Sequence, residues 1–444
     1  MFLDFLMNIF IENKEKEAII WREKPYSYEW VIEMVSRAKQ NLESNGIQFG
    51  DIVALRSDFN PFSIGYLIAL IENGNIIVPI SFAVKTIEEF YNIAEVQKVI
   101  VIENDKETFY TRDTHPIHEI NLQLKKMGHP GLILFSSGST GKSKAAVHDF
   151  VPLLEKFKKN RTLLKTITFL LFDHIGGVNT VFYILSNAGT IIAVEDRSPE
   201  NVCKMIEKYQ VELLPTSPTF INMILMSRVY EKYELGSLKL VTYGTEVMPE
   251  HTLKAFNKIF PDISIKQTYG LSELGIMRSK SRSNDSLWVK IGGEDYETKI
   301  VDDLLYIKAR TAMLGYLNAP SPFDKNGWFN TQDKVEIDGE WIKILGRTTD
   351  LINVGGQKVY PAEVESVLLG LDNIQEVSVF GKDNPIMGKV VATRINTIAE
   401  EKLSELKKRI RKYCKDKLEP FKIPVHIEIT KEKQVSDRFK KVRN

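Results

Sequence analysis

Short apolar runs and longer amphipathic stretches alternate along this chain, and the alternation predicts most of its elements. Residues 18–28 alternate in strand fashion, and a helical period follows through Trp30, Ile32, Val35, Ala38 and Leu42 until Asn45-Gly46 stops it. Gly50 to Leu55 reads as a buried strand, Phe62 to Glu72 as an apolar helix stopped by Gly74, and Ile76 to Ile80 as the next strand. Residues 103–130 are polar and irregular and read as a surface connection. Downstream, strands at Leu132–Phe135, Thr166–Phe172, Val211–Leu214, Leu238–Tyr243 and Ser264–Gln267 alternate with helices at Pro152–Lys159, Val178–Ser186 and Pro199–Tyr209. Helices alternating with apolar strands indicate an α/β layout with parallel strands. Strand-like runs then succeed one another (Ser286–Ile291, Glu297–Val301, Leu304–Lys308). From Leu351 the pattern becomes a small α+β unit: a helix opening at Pro361, strands at Val377–Phe380 and Val390–Ile395, and a helix over Ala399–Leu418.

Composition narrows the class. A chain of 444 residues is too long for one compact core. Basic and acidic side chains balance, 59 against 58, so no global field recruits nucleic acid, and no nucleic-acid partner is expected. Cys203 and Cys414 stand far apart in no ligand spacing, which argues against structural zinc and a disulfide framework. The apolar opening segment is too short to span a bilayer and lacks the basic start and cleavage site of a signal peptide. It reads as a packed first helix, and the expected location is the cytoplasm, with no transmembrane segment.

The candidate chemistry begins where Leu132–Phe135 empties into Ser136-Ser137-Gly138-Ser139-Thr140-Gly141-Lys142-Ser143-Lys144. Four hydroxyls, lysines and glycines that let backbone N–H groups converge suit a loop around an oligophosphate. This is not a Walker loop, which needs glycine six positions before Lys142, where Ser136 stands. A solvent-exposed turn has the same composition. Phe172-Asp173-His174-Ile175-Gly176-Gly177 places a polar ring at the end of a buried strand, where open α/β sheets hold ligands. Ser272 and Glu273, just past the strand Ser264–Gln267, offer a hydroxyl and a carboxylate suited to Mg²⁺ shared with phosphate oxygens. A helix N-terminus capped by Ser272 is the plainer account.

Taken in order, these blocks resemble the AMP-forming adenylating superfamily: acyl-CoA synthetases, luciferases and the adenylation domains of peptide synthetases. Relatives usually carry Thr where Ser136 stands and Pro where Ser143 stands. Gly46 to Ala54 resembles an early block, and Leu345 to Glu365 is the longest match. The resemblance implies a large N-terminal multi-subdomain α/β domain (1–349), and a mobile C-terminal α+β domain (350–444) joined to it by a hinge at Asp350. It implies that Ser136, Ser137, Gly138, Ser139, Thr140, Gly141 and Lys144 bind the phosphates of ATP, and that Gly244, Thr245 and Glu246 lie along the adenine. Tyr269 with Gly270 would stack on that ring, Ser272 would touch the α-phosphate, and Glu273 would bind Mg²⁺. Asp333 would accept the ribose hydroxyls, with Arg347 adding a ribose or phosphate contact. His174, Gly177 and Tyr243 would border the carboxylic acid, the two glycines making room for its tail. Gly355 and Gly356 would line the channel for the thiol of CoA or of a carrier-protein phosphopantetheine.

The tail resembles the closing Thr-x-x-Gly-Lys-x-x-Arg of the superfamily through Ser436, Lys440 and Arg443, with Phe439 in place of the glycine. Lys440 would be the adenylation lysine, and Lys441 could substitute for it. Catalysis would rest on Lys440, Glu273 and His174. The implied activity is an ATP-dependent carboxylic acid:thiol ligase that makes acyl-AMP and pyrophosphate and then a thioester, with CoA as the expected acceptor. A stand-alone amino-acid adenylating enzyme charging a carrier protein is the alternative that Phe172-Asp173 suggests. Phe439 leaves open a nucleotide-binding relative that has lost turnover.

Overall fold

In the computed structural model, residues 2–443 are described apart from 104, 115–116, 138–142 and 437–438, with Ser137 described through its backbone alone. Gly138, Ser139, Thr140 and Gly141, expected to bind phosphate, therefore lie outside the described residues.

Three seven-stranded sheets carry the chain to Arg347, and a five-stranded sheet carries the remainder. The first runs Ser264–Gln267, Leu240–Tyr243, Leu213–Thr216, Lys165–Ile167, Thr190–Ala193, Glu17–Trp21, Lys24–Ser27. All its neighbours pair in parallel except the final hairpin. The second centres on the parallel strands Gly131–Ser137, Ile76–Ile80, Ile52–Arg56 and Lys98–Glu103. All five residues of Ile76–Ile80 are buried, which is why such a strand reads as continuously apolar. Helices Pro61–Glu72 and Ile175–Leu185 are apolar around most of their circumference because they lie in the core between these two sheets. Asn60 and Ser63 form a capping box on the first of these helices, with Pro61 at its opening turn.

The other face of the first sheet buries Leu214, Val241, Tyr243 and Ile265 beneath helices Pro199–Tyr209, Pro218–Ser227 and Glu250–Ile259. An antiparallel third sheet spans Tyr269–Leu271 to Trp341–Arg347. A single 3₁₀ turn, Thr348–Asp350, links it to the last sheet, which begins at Ile352 and packs helices Pro361–Leu369 and Leu403–Cys414. Among the described residues no helix is long and apolar enough to cross a membrane. Cys203 and Cys414 are buried thiols.

Several expected elements differ. The connection 103–130 holds an edge strand, Lys106–Thr111, and a helix, Glu119–Met127. Neither presents a continuous apolar stripe: no residue of the strand is fully buried, and the helix buries only Asn121 and Leu124. The strand expected over Thr166–Phe172 ends at Ile167, leaving 168–173 as a loop that brings His174 to the helix start. The helix expected over Pro152–Lys159 is Phe150–Glu155, capped by Asp149, and tightens into a 3₁₀ turn at Lys156–Lys158. The helix expected over Ala399–Leu418 is confined to Leu403–Cys414.

Candidate active site

The parallel strands of the first sheet end at Thr216, Tyr243 and Gln267, and the candidate residues collect beyond those ends. Glu273 lies in the turn between strands Tyr269–Leu271 and Gly275–Ser281 rather than at a helix start, so the helix-cap account of Ser272 falls away. Tyr316 donates its hydroxyl to Glu273 Oε1 at 2.6 Å, and Met313 N–H donates to the Glu273 carbonyl at 2.8 Å. The same tyrosine ring receives Lys144, whose Nζ lies 5.3 Å from the ring centroid. His148, fully buried on the strand leaving the phosphate loop, donates Nε2–H to the Ser272 carbonyl at 2.5 Å. Burial pushes the pKa of His148 down and keeps the ring neutral, so it works as a fixed brace between the loop strand and the Ser272-Glu273 turn.

Glu273 Oε2 carries no hydrogen bond among the described residues, and no group of three His, Cys, Asp or Glu side chains there could hold a metal alone. One open carboxylate oxygen fits Mg²⁺, which keeps most of its sphere for phosphate and water.

Asp333 sits in the long strand Phe329–Asp338, only 6% exposed. It accepts a hydrogen bond from the Tyr269 hydroxyl, and Arg347 Nε stands 3.4 Å from its Oδ1. Burial raises the pKa of the Asp333 carboxyl, and Arg347 and the Tyr269 hydroxyl pull it back. Tyr269 is itself core, so its contribution here is to orient Asp333. The strand is bulged at this point: its register with Leu304–Ala309 slips, and Gln332 takes φ +60°. This is a conformation that favours glycine, and here a glutamine adopts it.

The tail reaches the same region. Lys440, His174 and Thr245 line one small cavity with Phe169, Leu170, Leu171 and Arg197. His174 caps helix Ile175–Leu185, its Nδ1 accepting from Gly176 N–H at 3.0 Å, which assigns the ring proton to Nε2. Phe439 adopts φ +50° and inserts its ring among Phe169 and Phe220, at centroid distances of 5.0 and 5.1 Å. Ser217 Oγ donates to the Phe439 carbonyl at 2.8 Å. Lys441 does not duplicate Lys440: its Nζ pairs with buried Glu365 at 3.2 Å. Arg443 donates twice to Glu365 at 3.0 Å and lies 3.6 Å from Asp350.

Other expected residues take different positions. Gly177 does not make room for a tail, because a Cβ there would stand 2.0 Å from the Leu171 carbonyl oxygen; its role is close backbone packing. Tyr243 is 1% exposed and faces the apolar core, away from any acid. Gly244 is required by the backbone of Thr268, 2.9 Å from where its Cβ would be, and Gly270 by the tight Gly275 hairpin. Thr245 is exposed at φ +72°, whereas Glu246 accepts from Thr219 at 2.7 Å and from Lys441 N–H at 3.3 Å, which ties it to the tail. Burial raises the pKa of Glu246, opposed by Thr219 and the tail cations. Gly355 and Gly356 form the two-residue turn between strands Ile352–Val354 and Gln357–Val359, at φ +55° and +90°. Ser136 pairs with Lys144 across the base of the phosphate loop. Tyr316, His148 and Thr219 were absent from the sequence-based set, each an ordinary polar residue in a strand or helix with no local motif to mark it, whereas Glu365 closes the longest matching block but was given no role there.

Comparison with known proteins agrees with this arrangement. The AMP-binding enzyme model matches residues 11–317, and the AMP-binding enzyme C-terminal domain model matches residues 363–440. The putative acyl–CoA ligase YdaB of Bacillus subtilis (strain 168) is 24% identical over 93% of this chain and 92% of its own length. Acyl-CoA synthetase 7 of Caenorhabditis elegans is 29% identical over 67% of this chain, and the shared stretch spans 61% of that protein. The anthranilate CoA ligase AuaEII, solved with anthranoyl-AMP, shares the fold over 100% of this chain and 95% of its own, with a TM-score of 0.84 at 18% identity. With both family models met in order along the chain, it belongs to the AMP-binding enzymes.

Proposed function

We propose that this protein is an ATP-dependent carboxylic acid:CoA ligase. In the first half-reaction a carboxylate oxygen attacks the α-phosphorus of ATP, the bond to the bridging oxygen breaks, and pyrophosphate leaves. In the second, the sulfur of CoA attacks the acyl carbon, the bond to the phosphate oxygen breaks, and AMP leaves. Two anions must meet in the first step, so the site has to neutralise charge and fix an in-line approach.

The observation that carries this reading is the meeting of Lys440 from the tail with His174 and Thr245 at the sheet. A flexible ammonium suits a point charge bridging the nucleophile and the phosphate oxygens. Glu273 would hold the Mg²⁺ that travels with ATP and supplies charge neutralisation. Asp333, oriented by Tyr269 and Arg347, would accept the ribose hydroxyls; Lys144 and Ser136 would serve the phosphates. Gly355 and Gly356 would border the thiol path, and Asp350 would be the pivot on which the small domain turns between steps. The amino-acid reading is not favoured: the matched relatives are acyl-CoA ligases and synthetases, and Asp173, which suggested it, is only 5% exposed and accepts from Ser81 at 2.9 Å.

Purified enzyme given Mg²⁺-ATP, CoA and a panel of carboxylic acids should release AMP in an acid-dependent way. Lys440→Ala should lower acid-dependent ATP–pyrophosphate exchange by at least ~100-fold, in the range of one electrostatic stabiliser of a phosphoryl transition state. It should spare thioester formation from supplied acyl-adenylate. Equal loss of both half-reactions would remove Lys440 from the assigned role.

A further inference from the structure

The first sheet has two unlike faces. Side chains alternate along a strand, so Leu214, Val241 and Tyr243 enter the apolar core while Leu213, Pro215, Leu240 and Thr242 point the other way. Over this second face lies a cavity of about 370 Å³, walled opposite by helix Ile175–Leu185 and by Ile276 and Tyr296 of the third sheet. Thr242 and Thr268 line it next to Tyr243-Gly244 and Tyr269-Gly270, so its upper end adjoins the adenylation elements. Register places Leu213 beside Leu240, and Pro215, Thr242 and Lys266 side by side, with Thr268 two residues further on. The cavity therefore runs past about four residues of strand, roughly 13 Å at ~3.3 Å per residue.

The charge along this cavity is one-sided. Lys156, Lys159, Arg161, Lys266 and Arg278 line it against a single carboxylate, Asp295. Lys159 is neutralised by Glu294 at 2.9 Å, and Asp295 is shared with Arg310 at 3.9 Å. Lys156 has no such partner. Its Nζ donates to the Ile276 carbonyl at 3.0 Å, and no carboxylate among the described residues reaches ion-pair distance. Burial pushes its pKa down to about 7, Arg161 adds to the effect and Asp295 opposes it. Lys156 is half-buried and its ammonium lies 5.1 Å from the Phe157 ring centroid, so a carbonyl and a ring, but no carboxylate, face it; such groups cluster where a ligand completes them. An apolar acyl tail would leave this cation uncompensated.

We propose that the acid activated by this enzyme is a dicarboxylic acid whose second carboxylate is received by Lys156 on the cavity wall, while the first reacts at the strand ends. The inference rests on the ligase reading above and names its substrate class. The two carboxylates must be far enough apart to reach Lys156 from the strand ends, so acids of different spacing are compared. Lys156 then selects and positions the substrate and takes no part in the bond changes.

The test pairs each monoacid with the diacid that adds a carboxylate at its far end: octanoate with octanedioate, and 4-phenylbutyrate with 4-(4-carboxyphenyl)butyrate. AMP release by the full chain is measured with saturating Mg²⁺-ATP and CoA. The diacid of at least one pair should have the higher kcat/KM by tenfold or more. Lys156→Met and Lys156→Gln should raise the diacid KM at least tenfold and leave the monoacid kcat/KM within about twofold, while Lys156→Arg keeps the diacid preference. ATP-induced thermal stabilisation reports that each variant is folded. Wild-type enzyme that uses monoacids as well as their diacids overturns this inference and leaves the ligase reading intact. Equal loss for both acids in the folded variants overturns it too. If neither set yields AMP, the ligase reading falls and takes this inference with it.

Discussion

Two charged clusters flank the candidate site, and they are held in opposite ways. Glu273 and Asp333 are braced by groups of the large domain: Tyr316 and His148 on one side, Tyr269 and Arg347 on the other. Nothing in that set crosses between domains, so it stays assembled however the small domain is placed. The tail is divided. The side chains of Lys441 and Arg443 are bound to Glu365, and Val442 to Ser378, within the small domain, while the Lys441 backbone N–H reaches Glu246 of the large domain at 3.3 Å. Phe439 instead makes its contacts with Phe169, Phe220 and Ser217 of the large domain. Lys440 thus stands between a part that would travel with the small domain and a part that would have to let go. Preorganisation serves the groups that act throughout a reaction, whereas a group needed for one step is better held by contacts that can be broken.

The largest effect should come from breaking the travelling part. Glu365 is 1% exposed, and Glu365→Ala would leave Lys441 without its ion-pair partner and Arg443 with only Asp350, 3.6 Å away. A broken buried ion pair costs about 3–5 kcal/mol. Urea denaturation should show that loss in the small-domain transition, with the large domain unchanged. The same carboxylate gives an acid limb. Burial pushes its pKa up, but Lys441 and Arg443 outweigh this and hold it below the usual range. A depressed folded-state value means the contribution is present above the unfolded carboxylate pKa, near 4.5, and is lost as pH falls through the folded value. Glu365→Gln should flatten that part of the stability profile.

What the sequence revealed, and what it hid, follows the same division. Glu273, Asp333, Arg347 and Lys440 could be nominated as candidates because each sits in a short block whose neighbours mark it. Tyr316 was not, since it meets Glu273 from 43 positions away, and His148 meets Ser272 from 124. Gly177 was misread because a glycine that makes space and a glycine that lets backbones touch look alike in sequence. Tyr243 was misread because a period of two says that neighbouring residues face opposite ways, but not which face meets the ligand. Lys156 was not singled out in the sequence; its neighbours Lys158, Lys159 and Arg161 are exposed, and only the fold brings its ammonium to the Ile276 carbonyl. The parallel α/β design was plain from the apolar runs, whereas 103–130 was obscured by the polarity of an edge strand.

A smaller effect should come from the part that lets go. Phe439→Gly removes a ring whose burial is worth about 1.5–3 kcal/mol. It also relieves a left-handed conformation that costs a bulky residue about 1–2 kcal/mol. The net loss of docking should be about 1 kcal/mol, enough to shift the docked population several-fold. ATP–pyrophosphate exchange should then slow by a similar factor, while thioester formation from supplied acyl-adenylate is unchanged or faster. Slowing of both steps by the same factor would mean that Phe439 shapes the site itself and is not a releasable anchor.

The smallest effect tests the fixed cluster. Gln332 holds φ +60° in the bulge before Asp333, its side chain is exposed, and its backbone N–H donates to Asn330 at 2.8 Å. Gln332→Gly keeps that N–H and removes a strain of about 1–2 kcal/mol, against a backbone-entropy penalty of about 0.5–1 kcal/mol. The variant should gain about 0.5–1 kcal/mol in the large-domain unfolding transition by the same denaturation assay, with the KM for ATP unchanged, because the bulge that aims Asp333 is kept and only the conformation leading into it becomes less strained. A raised KM would show instead that the strained glutamine sets the aim of Asp333.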